Sequence, residues 1–458
     1  MRRRSRRLVL VAFAAVLVAP ARRAGAAGFL IQEQSARGIG TSFVGEPAIA
    51  EDATAAYFNP AGMTRLDGTW LTASGSLIQF QAEFENRGSI VNPTLGDGRL
   101  RGDPTQDAAT VGLVPAGYLT HKLTDRWSVG LAVNSPFGLR TDYDRDWVGR
   151  YSALLSDLKT FNFSPTIAVR LFDGLSIGAG PDIQYAKAEL SNMLDLGSIC
   201  ALNAPRLGQP PSICPALGLP PQSVDGFIRI KGDSWAVGGN VGILWEISSR
   251  TRLGLTYRSR IDHTLGSTAR FSVPQKAAFL QQASGALRDT GGRAELKLPD
   301  MIRFGFLHHV NEHWAVMGGI DWTNWSRFEE LVFKFDNPAQ PTLVQPEHWN
   351  NAVRGGLAVA WSPWKRWTFR LGSAYDQSPV PNARDRTPRV PDSDRVWLST
   401  GLGYQWNDQL RVDLGYAHLF APGTTKINNP DPVTGDVVRG TYEGSANIMG
   451  AQVSMQFD

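Results

Sequence analysis

Six arginines are the residues best placed to bind a charged ligand. They fall in segments whose residues alternate between apolar and polar, always on the face opposite the apolar one, so all six are predicted to point into a shared interior. An arginine can bind a carboxylate bidentately, whereas burying that carboxylate unpaired is costly. The alternative is pairing with interior carboxylates such as Asp321, Asp376 and Asp413. The six are Arg170, Arg258, Arg303, Arg354, Arg370 and Arg411.

Catalytic chemistry has little support in the sequence. There is no His-Glu-x-x-His zinc motif and no Asp-x-Asp-x-Asp-Gly calcium loop. The seven histidines have no evident partner, and His308 and His309 point to opposite faces of one predicted strand. We therefore expect no catalytic residue, no metal site and no cofactor, and the chain is not predicted to be an enzyme.

The two cysteines, Cys200 and Cys214, lie in a Pro-rich stretch between two predicted strands. In an exported chain such a pair favours a disulfide that fixes a surface loop. A metal or redox site is the alternative, but it would need further ligands, and no histidine is adjacent in the sequence.

The N-terminus carries an export signal. A cationic head and a short apolar run precede the small residues Ala24-Gly-Ala26, which predicts a signal peptide over 1–26 that is cleaved after Ala26. This segment holds seven arginines and no acidic residue, so the mature chain has 39 basic and 42 acidic residues. Nucleic-acid binding therefore has no support from charge.

Repeated alternation predicts the fold class. Between 160 and 171, apolar residues occupy the odd positions and polar or small residues the even ones. The pattern recurs from 69 to 457 in fourteen segments, and past the signal there is no run of 18 apolar residues that would form a membrane helix. An all-β fold is indicated: a 14-stranded antiparallel transmembrane β-barrel in the outer membrane of a Gram-negative bacterium, with lipid outside and a polar lumen inside.

Tight turns alternate with long connections along these segments, as in bacterial barrels whose short turns face the periplasm. The long connections at 145–157 and 274–288 have apolar spacing that predicts short helices. Aromatic residues near segment ends, including Trp147, Trp325 and Trp397, predict girdles at the two membrane interfaces, with core packing as the alternative. The predicted strands cover residues 69–84, 109–122, 126–134, 159–172, 174–190, 224–247, 251–270, 292–310, 313–335, 348–362, 366–379, 393–407, 409–423 and 440–457.

Residues 27–68 do not alternate. They are rich in Ala and Gly and contain the turn signal Asn59-Pro60, which predicts a compact, irregular segment with a short helix near 47–56. Such a segment in front of a barrel is expected to lie inside it as a hatch. The predicted domains are therefore a signal peptide (1–26), an N-terminal hatch (27–68) and the barrel (69–458).

Several runs of this sequence resemble the long-chain fatty acid transporter (FadL) family, which also includes aromatic-hydrocarbon channels of the TodX type. The runs extend over nearly the whole mature chain, and the strongest are the hatch and the stretch from Asp376 to Trp397. They are 27–40, 45–53, 57–63, 135–139, 298–300, 376–381 and 391–397.

The resemblance implies a route for hydrophobic molecules. They would be captured among the outer loops, move to a pocket at the hatch N-terminus, and leave sideways through a gap beside a kinked strand, without ATP. An apolar solute that avoids the aqueous periplasm is spared about 0.8 kcal/mol per CH₂ of exposure. Phe29 is then expected to line the inner pocket. The turn that would fix the hatch near the kinked strand, unless it is simple turn chemistry, is Asn59, Pro60, Ala61 and Gly62.

The resemblance also implies a substrate site among the arginines. Residues 168–171 match the strand that supplies a carboxylate-binding arginine in the fatty-acid members, which makes Arg170 a candidate. Arg303 and Arg354 are further candidates because alternation, and not the resemblance, predicts that they point into the lumen. A second basic position of those members falls near Asn350 or Asn351, which is neutral here. Uptake of long-chain fatty acids is therefore the favoured hypothesis, and uptake of aromatic hydrocarbons stays open beside it.

Two other classes compete with a transport channel. A barrel enzyme of the lipase type lacks a nucleophile with a positioned base, and an open porin or adhesin does not explain the hatch. The expected partners are hydrophobic small molecules, outer-membrane lipid and lipopolysaccharide, and the barrel assembly machinery, which reads alternating terminal strands such as 449–457. The protein is expected to be monomeric.

Overall fold

One antiparallel sheet closes on itself to form the barrel. The computed structural model describes residues 28–96 and 98–457, so the predicted signal peptide lies outside the described residues. The first strand pairs with the second on one side and with the last strand on the other, from Thr69 opposite Phe457 to Asn86 opposite Gly440. The predicted 14-stranded antiparallel barrel is confirmed.

The wall strands of the described residues are numbered β1 to β14 in chain order, and several consist of two pieces separated by an irregularity. They are β1 (Thr69–Asn86), β2 (Thr105–Asp107 and Thr110–Lys122), β3 (Trp127–Asn134 and Gly138–Asp142), β4 (Leu155–Phe172), β5 (Leu175–Asp195), β6 (Asp225–Ser248), β7 (Thr251–Arg258 and Ile261–Ser272), β8 (Thr290–Leu298 and Met301–His309), β9 (Trp314–Thr323 and Glu330–Phe335), β10 (Leu343–Pro346 and Ala352–Trp364), β11 (Trp367–Asp376), β12 (Arg395–Gln405), β13 (Leu410–Phe420 and Thr425–Pro430) and β14 (Val437–Phe457).

The wall has an apolar outer face, as the alternation predicted. On β4, Phe161 and Ile167 at odd positions are exposed, while Asn162 and Ser164 at even positions are buried. Successive side chains of a strand point to opposite faces, so the exposed residues lie on the lipid side and the buried polar ones face the lumen.

The girdle prediction is right for some aromatic residues and wrong for others. Trp127 and Trp406 are exposed beside the short turns, as a membrane-interface residue should be. Trp147, Trp325 and Trp397 are instead fully buried in hydrophobic clusters inside the barrel and under its outer connections. Position near a strand end does not reveal whether the side chain points outward or over the lumen.

Short helices interrupt the chain at both ends of the barrel. The single helix expected near 47–56 is wrong, because Ala50 adopts a left-handed conformation with φ 45° that ends the first of two helices. The helix expected in 274–288 is confirmed, whereas 145–157 forms turns and the start of β4. None of the described helices has the length and apolar character to cross a bilayer. They are α1 (Ala36–Ile39), α2 (Glu46–Ile49), α3 (Ala55–Phe58), α4 (Leu196–Asn203), α5 (Ile213–Ala216) and α6 (Phe279–Ser284).

The N-terminal segment, residues 28–68, packs against inward-facing backbone from strands around the wall. Glycines make the closest approaches possible: a Cβ on Gly254 of β7 would lie 2.0 Å from the carbonyl oxygen of Pro47. On β12, a Cβ on Gly401 would lie 2.7 Å from the Cα of Gly40. Substitution at either glycine would therefore force the segment away from the wall.

Candidate ligand cavity and the N-terminal segment

A cavity of about 770 Å³ lies at the outer end of the barrel, beneath α4, α5 and α6. This volume is within the range of about 300–1,000 Å³ typical of small-molecule pockets. Apolar side chains from these helices and from β4 to β8 make up much of its lining, including Leu158, Leu190, Ile199, Ile228, Leu265 and Leu280.

Phe29 lies at the cavity, where it joins a cluster of aromatic rings. Its ring centroid is 4.7 Å from that of Trp325, 5.4 Å from Phe328 and 5.6 Å from Trp349. Phe137 from the bend of β3 completes the cluster at 6.2 Å. An apolar ligand in the cavity would therefore touch the beginning of the N-terminal segment.

Main-chain hydrogen bonds hold Phe29 in this position. The Gly28 N–H donates to Asp392 Oδ2 at 2.9 Å, and the Gly138 N–H of β3 donates to the Phe29 carbonyl at 3.0 Å. Gly28 has a φ of 62°, and a Cβ there would lie 2.9 Å from the ring of Trp325. Only glycine satisfies both conditions without strain.

β2 and β3 separate along part of their length. They pair only where Gly117–Lys122 of β2 faces β3, and among the described residues 110–116 pairs in a ladder with β1 alone. β3 bends at 135–137, where the Ile31 N–H donates to the Pro136 carbonyl at 2.9 Å. The wall thus has an unpaired stretch beside the start of the N-terminal segment.

Arg389 lines the same cavity without an ion-pair partner among the described residues. It donates to neutral acceptors, Asn192 Oδ1 at 3.1 Å and Ser156 Oγ at 3.2 Å. Burial lowers its pKa to about 10, so it stays charged at neutral pH. Glu347 and Asp431 also line the cavity, and burial raises the pKa of both, to about 8 for Glu347. At neutral pH Glu347 is therefore mostly neutral, and among the described residues neither Glu347 nor Asp431 forms an ion pair with Arg389.

The three arginines predicted to bind substrate do not line this cavity. Arg170 Nη2 donates to the Thr64 carbonyl at 2.6 Å, and Arg303 Nη2 donates to Gln32 Oε1 at 3.1 Å. Arg354 lies 3.7 Å from Asp376 and donates to the Ser42 carbonyl. All three contact the N-terminal segment.

The other three inward arginines form ion pairs with carboxylates. Arg258 lies 2.5 Å from Asp182, Arg370 lies 2.9 Å from Asp413, and Arg411 lies 3.4 Å from Glu51. These contacts agree with the alternative that inward arginines pair with carboxylates inside the lumen. Substrate binding by Arg170, Arg303 or Arg354 stays a prediction.

Asn59 organises the predicted turn. Its Oδ1 accepts from the Ala61 N–H at 3.1 Å and caps the 3₁₀ helix Pro60–Arg65. Its Nδ2 donates to the Pro47 carbonyl at 2.7 Å and to the Ile243 carbonyl of β6 at 3.0 Å. The turn therefore joins two parts of the N-terminal segment to the wall. Gly62 is required by contact, because a Cβ there would lie 2.7 Å from that of Ala50.

Arg37 is the centre of a buried charge network in the N-terminal segment. Its side chain is 2% exposed and lies 3.0 Å from both Glu46 and Asp52. It also donates to Thr54 Oγ1 at 3.0 Å, and Gln452 Nε2 of β14 donates to Asp52 Oδ2 at 3.0 Å. The network ties α1, α2 and the following turn to one another and to the wall.

Replacing Glu33 with glutamine is expected to remove a pH dependence of stability. Burial raises the pKa of Glu33 from its ordinary value of 4.5 to about 7. The unfolded chain therefore loses this proton first, and the stability of the folded protein falls as the pH rises from about 4.5 to about 7. This difference between the folded and unfolded pKa of Glu33 is worth about 3 kcal/mol. Glu33→Gln should gain about this free energy of unfolding at pH 8 and little at pH 4.

Denaturant titrations of the mature protein at pH 4 and pH 8 measure this difference. Glu83→Gln is the matched control, because Glu83 is exposed on β1 and its substitution should change neither value. A Glu33→Gln variant that gains no more stability over the wild type at pH 8 than at pH 4 would contradict the expectation.

A disulfide between Cys200 and Cys214 joins α4 to α5. Both helices border the cavity. The two cysteines are therefore part of the cavity roof. No group of metal-ligating side chains is present in the described part of the chain.

The run Gly174-Leu-Ser-Ile-Gly178 matches the Gly-x-Ser-x-Gly pattern of serine hydrolases, a match that the sequence analysis missed. In hydrolases this serine sits on a strand-to-helix turn. Here Ser176 lies on β5, is buried, and its Oγ is 2.8 Å from Thr64 Oγ1. The turn joins two strands, and no base in the described part of the chain contacts the serine.

Sequence reasoning also missed Arg389 and the aromatic residues Phe328 and Trp349. All three lie outside the wall strands, where alternation carries no information about direction. The one available signal for Arg389 was its position between the runs 376–381 and 391–397, both of which carried the family resemblance.

A barrel closed around an inner segment, with an apolar cavity at its outer end, defines an outer-membrane channel. Residues 17–457 match the family model described as "Outer membrane protein transport protein (OMPP1/FadL/TodX)", and the chain belongs to this family. The chain is 30% identical over 403 residues to the long-chain fatty acid transport protein of Escherichia coli O6:H1, covering 87% of each chain.

Solved structures have the same fold. A Pseudomonas aeruginosa FadL homologue superimposes with a TM-score of 0.85 at 24% identity, over 94% of this chain and 100% of that one. The Ralstonia pickettii toluene transporter TbuX gives a TM-score of 0.62 at 17% identity, over 93% and 100% of the two chains.

Proposed function

We propose that this protein carries hydrophobic carboxylic acids, specifically long-chain fatty acids, across the outer membrane without an energy source. The observation that supports this substrate class is the apolar cavity with the unpaired guanidinium of Arg389 in its lining. The cavity receives the chain by burial of CH₂ groups, and the arginine neutralises the carboxylate. The name of the 30% identical relative agrees with this class.

The N-terminal segment acts in this proposal as a hatch that keeps the lumen closed. Phe29 forms the floor of the cavity, and the unpaired stretch of β2 beside the bend of β3 is the exit. The substrate passes between these two strands into the lipid phase, so that its apolar chain avoids the periplasmic water. Displacement of Phe29 from its aromatic cluster opens the way from the cavity to the gap.

Uptake of aromatic hydrocarbons is the second candidate, favoured by the ring cluster around Phe29. A neutral hydrocarbon needs no cation, however, and leaves Arg389 without a role. Catalysis is not part of the proposal. Three hydroxyl groups of the described residues do contact a histidine, but none of these pairs lines the cavity: they are Thr69–His121, Ser234–His263 and Thr251–His308. We further propose that the mature chain, after loss of 1–26, works as a monomer in outer-membrane lipid and lipopolysaccharide, since one chain supplies the whole wall. We also propose that the barrel assembly machinery recognises the last strand, which keeps the alternation of apolar and polar residues.

Uptake of radiolabelled oleate and toluene by cells lacking the protein, with and without complementation, tests the function. We expect complementation to restore oleate uptake several-fold and to leave toluene uptake unchanged. Equal rates with and without the protein for both compounds would exclude transport of either class. Restoration of toluene uptake alone would favour the second candidate.

A further inference from the structure

A second cavity, of about 450 Å³, lies at the opposite end of the barrel from the ligand cavity. It is bordered by the N-terminal segment and by the wall beside the short turns, the end that outer-membrane barrels turn toward the periplasm. Charged side chains dominate its lining. Among the lining residues are Glu51, Arg65, Trp70, Arg252, His309 and Arg411.

Arg252 of β7 is the one arginine in this lining that has no side-chain partner in the described part of the chain. It is 6% exposed, and its Nε is buried without a hydrogen-bond acceptor. An unsatisfied buried donor costs about 1–3 kcal/mol, and more when the group is charged. A guanidinium in this state is a ready partner for an anion that enters the cavity.

The expected protein partner of Arg252 is occupied elsewhere. Glu246 of β6 lies directly opposite Arg252 in the strand register, where an acid would normally pair with it. The Glu246 carboxylate instead contacts Arg65 from the N-terminal segment. The segment thus removes the partner of Arg252 and leaves its charge facing the cavity.

The other charges around this cavity are matched. Arg411 lies 3.4 Å from Glu51 and 3.0 Å from Asp413, and Asp67 lies 2.7 Å from Lys122. Around Arg252 itself, the ion pairs of the described residues join Arg65 to Glu246, Arg370 to Asp413, and Arg411 to Glu51 and Asp413, and Arg252 takes part in none of them.

We infer that this cavity is a periplasm-facing binding site for an oxyanion, a phosphate or carboxylate group, with Arg252 as its principal ligand. A planar guanidinium binds either group through two parallel hydrogen bonds. The volume exceeds that of a single phosphate, so the oxyanion can belong to a larger molecule. The site lies against the N-terminal segment and is independent of the cavity in which the transported molecule binds.

Titration of the detergent-purified mature protein with inorganic phosphate and with acetate, each against sodium chloride at constant ionic strength, tests the site by calorimetry. Saturable binding of one or both anions is expected. Arg252→Gln should raise the Kd at least about tenfold, the effect of losing one charged hydrogen bond. Preference between phosphate and acetate identifies the type of oxyanion.

Arg250→Gln is the matched control, because Arg250 is exposed on the turn two residues away and its loss changes the net charge equally. Arg252→Lys keeps the charge and should retain weakened binding, which separates loss of the ligand from loss of the fold. Binding that does not saturate, or that is equally affected by Arg250→Gln and Arg252→Gln, would overturn the inference. Neither outcome bears on uptake of the hydrophobic substrate.

Discussion

Replacing Arg37 with methionine is expected to lower the free energy of unfolding by about 3–5 kcal/mol, the cost of leaving buried charges without their partner. Glu46 and Asp52 both lie 3.0 Å from Arg37 and are as deeply buried as it is. Without the guanidinium, two carboxylates face each other away from water. The N-terminal segment should then detach from the barrel wall, and the opened lumen should conduct ions in planar bilayers.

Two variants control this experiment. Arg87→Met breaks an exposed pair with Glu85 and should cost no more than about 1 kcal/mol. The triple variant Arg37→Met, Glu46→Gln, Asp52→Asn removes all three charges and should recover much of the stability, because no charge stays buried alone. A single variant as stable and as impermeable as the wild type would mean that the network does not hold the segment.

Replacing Arg389 with leucine is expected to weaken binding of a long-chain fatty acid about 10- to 100-fold, the range for a lost hydrogen bond to a charged group. The methyl ester of the same acid carries no charge, so its Kd should change by less than about threefold. Of the residues that the structure describes, Arg389 donates to neutral acceptors alone, and it is free to pair with a carboxylate. Binding titrations of purified protein against both compounds measure the difference.

Arg170→Gln is the matched variant for this experiment. Arg170 holds the carbonyl of Thr64 and is absent from the cavity lining, so its loss should leave the preference for acid over ester unchanged. If Arg170→Gln and not Arg389→Leu removes the preference, the site implied by the family resemblance is the correct one. If the wild type binds acid and ester equally, neither arginine anchors a carboxylate.

The inward arginines show what the alternation of apolar and polar residues predicts and what it does not. It placed Arg303 and Arg354 on the lumenal face, and both are buried there. It did not identify their partners, since Gln32 and Ser42 come from a part of the chain about 270 and 310 residues away. Facing direction is a local property of a strand, whereas a contact depends on which distant segment fills the space in front of it.

The side-chain directions in the irregular stretches within β9 and β10 could not be predicted, for a different reason. Trp325 and Trp349 lie in irregular stretches of β9 and β10, where neither the period of a strand nor that of a helix applies. Their direction is set by Phe29, around which they pack at 4.7 and 5.6 Å. The buried aromatic cluster is therefore a property of the assembled barrel and not of any one segment.

The sequence by itself determined the 14-stranded barrel and its lipid-facing residues, because every strand of the wall repeats the same short-range alternation. It also determined the family, because the motifs that the family members share are present in the chain. Only the tertiary structure decided which cations lie free and which are paired. Within residues 28–96 and 98–457, Arg389 and Arg252 form no ion pair with a carboxylate, while Arg37 and Arg370 are neutralised. The reason is physical: the energy of a buried charge depends on groups brought within a few ångströms by folding, and sequence separation does not report that distance.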